Sequence, residues 1–366
     1  GDHCRLETRI VADVIRGYPR MDQRTSASPG VETRMDGYRY DFEKPIAELE
    51  HRLQEAQKNA EAAKRPELIQ GLERELEGVK RKIYGQLTPW QRVQLARHPQ
   101  RPYTLDYIGW LCSEFIPLHG DRLFGDDRAL IGGLGTFEGR SCILLGHQKG
   151  RDTKENLMRN FGSAHPEGYR KALRLMQLGQ KFHRPILIFI DTPGAYPGIG
   201  AEERGQAHSI AYNLREMARL RAPIFICVIG EGGSGGALGV GVGDWVAMLE
   251  NAYYSVISPE GCAAILWRDR ARSPDAAAAL KLTSRDLLHF GIVDEVIDEP
   301  LGGAHQDAPL VVEHLRAAIL RFLKRTDTVP LDTLLQRRYD RFRRIGVFSS
   351  IPPEPYSPST NAAPSS

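Results

Sequence analysis

Apolar positions along the chain follow two rhythms. Between residues 41 and 95 they recur at helical spacing. Ile46, Leu49 and Leu53 stand three and four apart, and beyond Pro66 the residues Leu68, Leu72, Leu76, Val79, Ile83 and Leu87 repeat at intervals of four and three. One face of a helix has that period, so two amphipathic helices joined near Pro66 are predicted, arranged as a hairpin. Further on, the apolar residues close up into short runs rich in β-branched side chains at 185–190 and 224–229. Such runs read as strands buried on both faces. Residues 131–137 and 141–145, separated by Glu138, Gly139 and Arg140, predict a β-hairpin.

More elements follow the same logic. A helix is expected over 202–220, a strand near 245–249, a helix and then a last strand between 282 and 297, and terminal helices over 311–324 and 331–344. Strand–loop–helix units recurring at about forty residues point to an α/β fold around a parallel sheet. Residues 1–40 show no periodicity and are expected to be a disordered extension, and the Pro/Ser/Ala-rich segment 347–366 a disordered tail. Between them the expected divisions are a helical region over 41–100, an α/β domain over 101–325 and a C-terminal helix over 326–346.

Composition narrows the classes. The chain has 366 residues, 41% hydrophobic and 26% charged, the balance of a soluble globular protein. A net charge of +3 gives no electrostatic case for nucleic acid. No apolar run approaches the length of a membrane span, and the first thirty residues do not resemble a secretory signal. Cys4, Cys112, Cys142, Cys227 and Cys262 are scattered without a C-x-x-C pair, so no metal site is expected and a cytoplasmic setting is.

The densest candidate chemistry is GEGGSGG at 230–236, directly after the 224–229 run. So many glycines suit a backbone that approaches something closely or adopts positive φ. Three chemistries fit. Gly230 to Gly235 matches the G-x-G-x-x-G dinucleotide fingerprint, with Glu250 twenty residues beyond Gly230. Gly232 to Gly236 matches G-x-S-x-G, the nucleophile elbow, with Ser234 as nucleophile. Alternatively the loop offers backbone N–H groups to an oxyanion, with Ser234 a spacer. Gly239, Gly241 and Gly243 weaken the first reading by interrupting the helix it needs. The second needs a base, and His147, His165, His183, His208, His289 and His305 stand in no partner motif. A hydratase-type carboxylate is available in Glu231 or Glu260.

Other stretches carry possible contacts. DTPGAYPG at 191–198 is a turn-rich loop at the carboxyl end of a predicted strand, where α/β folds bind ligands. GHQKGR at 146–151, with Lys154, Arg159, Arg170 and Lys171 downstream, is either a phosphate-facing cluster or a solvated helix face. In SVISPEGC at 255–262, Ser258 and Pro259 form a helix start.

Together with DFEKPIAELE at 41–50 and LARHPQRPYTLDY at 95–107, these motifs resemble the α subunit family of the bacterial-type acetyl-CoA carboxylase carboxyltransferase, from about residue 41 to 344. The resemblance implies a crotonase-like (ClpP/crotonase) superhelix of ββα units with an added N-terminal helical hairpin and C-terminal helices. It implies carboxyl transfer from carboxybiotin to acetyl-CoA, forming malonyl-CoA in fatty acid synthesis. It also implies two α and two β chains, the β chain carrying a zinc ribbon and most of the acyl-CoA site. A biotin carboxyl carrier protein delivers the biotin, and a separate ATP-dependent biotin carboxylase charges it. By the same resemblance, the N–H groups of Gly235 and Gly236 form an oxyanion hole for the biotin side. Gly232, Gly233, Ser234, Asp191, Thr192, Gly194, Ala195 and Tyr196 line the carboxybiotin pocket, and Lys149 and Arg151 meet CoA phosphates. Competing readings are a stand-alone hydratase, isomerase or Ser234 peptidase, or a scaffold that recruits partners through helices 41–95.

Overall fold

The computed structural model describes residues 40–58 and 66–346. The expected tail over 347–366 lies outside the described residues, as does the expected extension except for Tyr40. That residue is buried, and its hydroxyl donates to the Gln94 carbonyl at 2.5 Å.

The predicted hairpin of helices is α1 (Lys44–Lys58) and α2 (Pro66–Gly85). They run antiparallel, since Lys80 pairs with Glu50 at 2.7 Å and the Tyr84 hydroxyl donates to Glu43 at 2.8 Å. Of the stripe on α2, Leu72 is buried while Leu68 remains 47% exposed. Helices α3 (Pro89–Ala96) and α4 (Thr104–Leu111) lead into the sheet.

Eight strands make one mixed sheet: β1 (Cys112–Pro117), β2 (Leu130–Phe137), β3 (Arg140–His147), β4 (Ile186–Thr192), β5 (Ile224–Gly233), β6 (Trp245–Leu249), β7 (Tyr253–Ser255) and β8 (Glu295–Ile297). The order is β1-β2-β3-β4-β5-β6-β8. β1, β2 and β3 pair antiparallel, and all other pairs are parallel. Every residue of β4 and β5 is buried, as their continuous apolar runs require.

The crossovers are α5 (Thr153–Met158), α6 (Pro166–Lys181), α7 (Ile199–Glu203), α8 (Gln206–Arg219) and α9 (Ser234–Leu238). Then come α10 (Pro259–Trp267), α11 (Ser273–Leu280), α12 (Ser284–His289), α13 (Ala308–Thr326) and α14 (Leu331–Arg343). The helix expected over 202–220 is divided at Gly205, whose φ of +81° interrupts the helical backbone. The basic cluster downstream of Lys149 is partly internal. Lys171 is 2% exposed and donates to Asp126 at 2.5 Å and to the Asp127 carbonyl at 2.7 Å. Among the described residues no helix is long and apolar enough to cross a membrane.

Candidate active site

The strand expected over 224–229 does not stop there. β5 runs through the glycines to Gly233 and changes partner on the way. Phe225 to Val228 pair with β6, whereas Glu231, Gly232 and Gly233 pair with β7. The sheet therefore splits along one side of β5, and the chain emerges from the split into α9. On its other side, β5 faces the end of β4, where the register shifts between Ile190 and Thr192.

Close approach accounts for the glycines here. A Cβ at Gly233 would stand 2.2 Å from the Pro193 carbonyl oxygen, and one at Gly236 would stand 2.5 Å from the Gly194 carbonyl carbon and 2.6 Å from the Ala195 nitrogen. No side chain fits between those backbones. The one positive φ in the motif belongs to Ser234, at +49°. A non-glycine residue held in that region stores roughly 1 kcal/mol or more.

The helix that follows has five residues and is capped by Gly233, with no side-chain cap hydrogen bond. The first amides of a helix have no partner within it. Gly235 is half-buried and Gly236 buried, beside the half-buried Gly194, Ala195 and Tyr196. Tyr196 is fixed by its amide to the Ala164 carbonyl at 3.0 Å and stacks on His165 at 4.1 Å. Thr192 is buried, and its hydroxyl closes the turn by donating to the Gly194 carbonyl at 2.9 Å.

Beneath the loop lies a network of charges. Lys149 Nζ is bonded to Asp191 Oδ1 at 2.6 Å and to Glu231 Oε2 at 2.7 Å. Glu231 Oε1 accepts from Arg97 at 2.6 Å and from the Tyr253 hydroxyl at 2.7 Å, and Arg97 reaches Glu260 at 2.5 Å. Asp191 Oδ1 also accepts from the Glu231 amide at 2.9 Å. Burial alone would raise the Glu231 carboxyl, but Lys149 and Arg97 outweigh it and hold the group at about 2. Burial raises Asp191, while Lys149 and the Glu231 amide act against that rise. The network joins α3, β3, β4, β5, β7 and α10. Removing one member of such a buried set costs about 3–5 kcal/mol.

The expected pocket residues therefore divide. Gly194, Ala195 and Tyr196 are half-buried and Ser234 is exposed, while Asp191, Thr192, Gly232 and Gly233 are buried. Of Lys149 and Arg151, expected at CoA phosphates, Lys149 is held in buried ion pairs and Arg151 is exposed but paired within the chain. The Lys149 side chain is only 11% exposed and pairs with the two carboxylates. Arg151 pairs with Asp106, donates to the Arg101 carbonyl at 2.9 Å and lies over the Tyr103 ring.

The other chemistries lose their parts. Ser234 is exposed on a left-handed backbone, and among the described residues no hydrogen bond joins its hydroxyl to a His, Asp or Glu side chain. Glu231, offered as a hydratase carboxylate, is locked in ion pairs. A five-residue helix is too short for the dinucleotide fingerprint. Arg97 and Tyr253 were not singled out by sequence reasoning. Their signals are Glu231, a charge standing within a buried glycine strand, and, for Arg97, its place in the 95–107 motif. Among the described residues no group of three or more His, Cys, Asp or Glu could hold a metal ion.

The family described as acetyl co-enzyme A carboxylase carboxyltransferase-like matches residues 39–346. The acetyl-coenzyme A carboxylase carboxyl transferase subunit alpha of Xanthomonas axonopodis pv. citri is 55% identical over 310 residues, covering 84% of this chain and 97% of that one. The protein of the same name from Geobacter metallireducens is 52% identical over 316 residues, covering 85% and 98%. Among solved structures, the transcarboxylase 12S core with methylmalonyl-coenzyme A bound is similar with a TM-score of 0.52 at 19% identity, covering 65% of this chain and 45% of that one. A Pseudomonas malonate decarboxylase hetero-tetramer in complex with malonate is similar with a TM-score of 0.51 at 18% identity, covering 66% and 96%. The likeness to these structures is one of fold, and that fold is crotonase-like.

Proposed function

This chain belongs to the acetyl co-enzyme A carboxylase carboxyltransferase-like family, and from that premise we propose that its glycine loop is the carboxybiotin side of a carboxyl transfer site shared with a second subunit. The chain is the α-type component of an enzyme that forms malonyl-CoA from acetyl-CoA. Carboxybiotin, brought on a carrier protein, supplies the carboxyl group.

The observation that carries this reading is the uncapped amide pair of Gly235 and Gly236 at the mouth of the split sheet. As the carboxyl group leaves, negative charge develops on the ureido oxygen of the ring. Two preorganised N–H donors stabilise that charge without waiting for solvent to reorganise. The loop at 194–196 forms the wall beside them. The network of Lys149, Asp191, Glu231 and Arg97 holds the strand ends so that the donors keep their aim.

A site so open needs a second wall. Ile199, Leu238 and Val256 follow the 191–198 loop, lie on α9 and follow β7 respectively, and are 80%, 43% and 80% exposed. Exposed apolar side chains grouped around a site suit a partner surface. The proposed partner is a β subunit with a zinc ribbon that holds acyl-CoA, in a two-α two-β assembly served by a biotin carboxyl carrier protein and a biotin carboxylase.

The test is Gly236→Val in the complex reconstituted with the β subunit. Carboxyl transfer from malonyl-CoA to biocytin is expected to fall on the order of 10²–10³ while the complex still assembles. Gly235→Ala is the control, because its Cβ meets only the Ile210 side chain at 3.4 Å and the N–H is kept. It is expected to stay within a few-fold of the parent. Full activity in Gly236→Val would refute the donor role.

A further inference from the structure

One carboxylate shapes the loop between β1 and β2. Asp121 is buried, and its Oδ1 accepts from the amides of Leu123, Phe124 and Gly125 at 2.9, 2.8 and 3.0 Å. Its Oδ2 accepts from Arg170 Nε on α6 at 2.7 Å. Burial acts against its ionisation, but the amides and Arg170 outweigh it and hold the carboxyl at about 2. So fixed, the loop carries Arg122 at a φ of +67°. An arginine held on a left-handed backbone is strained, and such strain gathers at ligand clamps.

The strained residue stands beside a second cation. The Arg174 guanidinium, from α6, donates to the carbonyls of Gly120 and His119, each at 3.2 Å. Arg122 Nη1 lies 3.5 Å from where a Cβ on Gly120 would stand. Both guanidinium groups therefore lie against the same glycine. The acids nearby are taken, Asp121 by Arg170 and Asp126 by Lys171 and His119. Among the described residues neither Arg122 nor Arg174 has a carboxylate at ion-pair distance. Burial and the like charge of Arg122 push the Arg174 guanidinium below its ordinary value.

Both arginines border a cleft of about 500 Å³ between this loop, α6 and α8, with Arg170, Leu123, Leu173 and Tyr212 also on its walls. That volume is more than a lone ion needs and suits a small organic ligand. Two guanidinium groups without carboxylates match the charge of about −1.5 to −2 on a phosphate monoester at neutral pH, and their planar forks fit its oxygens. Leu123, Leu173 and Tyr212 offer apolar cover to the rest of such a molecule. Arg170 belongs to the basic cluster that carboxyl transfer leaves without a role.

We propose that this cleft binds a phosphate monoester, its phosphoryl group between Arg122 and Arg174 and its organic part along Leu123, Leu173 and Tyr212. The cleft shares no residue with the glycine loop, and its test stands apart from that of carboxyl transfer.

The experiment titrates the full chain with AMP, inorganic phosphate and adenosine by calorimetry, at low and at physiological salt. AMP is expected to saturate one site per chain and to weaken as salt rises, and adenosine is expected not to bind. Arg122→Asn and Arg174→Gln should each weaken AMP about tenfold or more, the loss of a charge-assisted bond. Asparagine accepts a left-handed backbone, so Arg122→Asn should melt no earlier than the parent, and its loss of binding is then not a loss of fold. Lys82→Gln, which removes one exposed charge from α2, is the control and should leave AMP binding unchanged. Inorganic phosphate tests the organic part. Binding weaker than AMP by about tenfold supports an ester that fills the cleft, and binding equal to AMP overturns it. The proposal is also overturned if AMP does not saturate, if adenosine binds as well as AMP, or if Arg122→Asn leaves AMP binding unmoved. An equal loss in Lys82→Gln would be a general effect of charge and overturns it too. If Arg174→Gln does not fold, Arg122→Asn decides alone.

Discussion

Glu231 and Ser234 interrupt the same glycine run and do opposite work. Glu231 turns inward, binding Lys149 and Arg97, and Ser234 stands outward on a left-handed backbone. The Glu231 carboxyl is held at about 2 against an ordinary 4.5, so its folded pKa is depressed. A depressed carboxyl stabilises the fold above its unfolded pKa, and the contribution is lost as pH falls through the folded value. Acid titration from about pH 4.5 to 2 should therefore cost the parent roughly 2–3 kcal/mol more stability than it costs Glu231→Gln, measured by denaturant unfolding at each pH. Equal losses would mean the carboxylate is not held by its cations. Ser234→Ala should keep carboxyl transfer within a few-fold, because the hydroxyl has no base; full loss with an intact fold would make it a nucleophile after all. Neither role could be read from spacing. Residues 97, 149, 191 and 231 are far apart in sequence, and the parallel sheet brings them together. That is why Lys149, judged from its basic surroundings, was expected at a phosphate.

Elements were legible in proportion to how far their burial shows as pattern. The continuous runs of β4 and β5 and the hairpin of β2 and β3 are plain in the sequence, because strands buried on both faces leave no polar positions. β1 was missed, since an edge strand carrying Ser113 and Glu114 exposed looks like loop. α6 was missed because Arg170, Lys171 and Arg174 mask its apolar face, although Lys171 is internal. The end of β5 reads as a loop in the sequence, since glycine lowers strand propensity but here serves close backbone contact. α14 is predicted from its periodicity, yet its attachment is not. Arg338 is 1% exposed and donates to the carbonyls of Met217, Leu220 and Ala222 at 2.7, 2.8 and 2.9 Å while pairing with Asp244 at 2.7 Å. Arg338→Ala strands a buried carboxylate and three carbonyls, so it should cost about 3–5 kcal/mol in chemical denaturation. A loss under 1 kcal/mol would show that α14 is not pinned by this residue.

At the scale of the whole molecule, the sheet supplies one wall of a site and the surface supplies the argument for another. The split beside β5 opens between β6 and β7, and apolar side chains at Ile199 and Val256 stand in the open. The periodic stripe over 41–95 offers a partner contact, but the second chain at the glycine loop comes from the family resemblance alone. The most direct measurement is carboxyl transfer from malonyl-CoA to biocytin by this chain alone and then mixed with the β subunit. Transfer only in the mixture is the predicted result. Transfer at full rate by the chain alone would contradict it, because the site would then be complete without a partner.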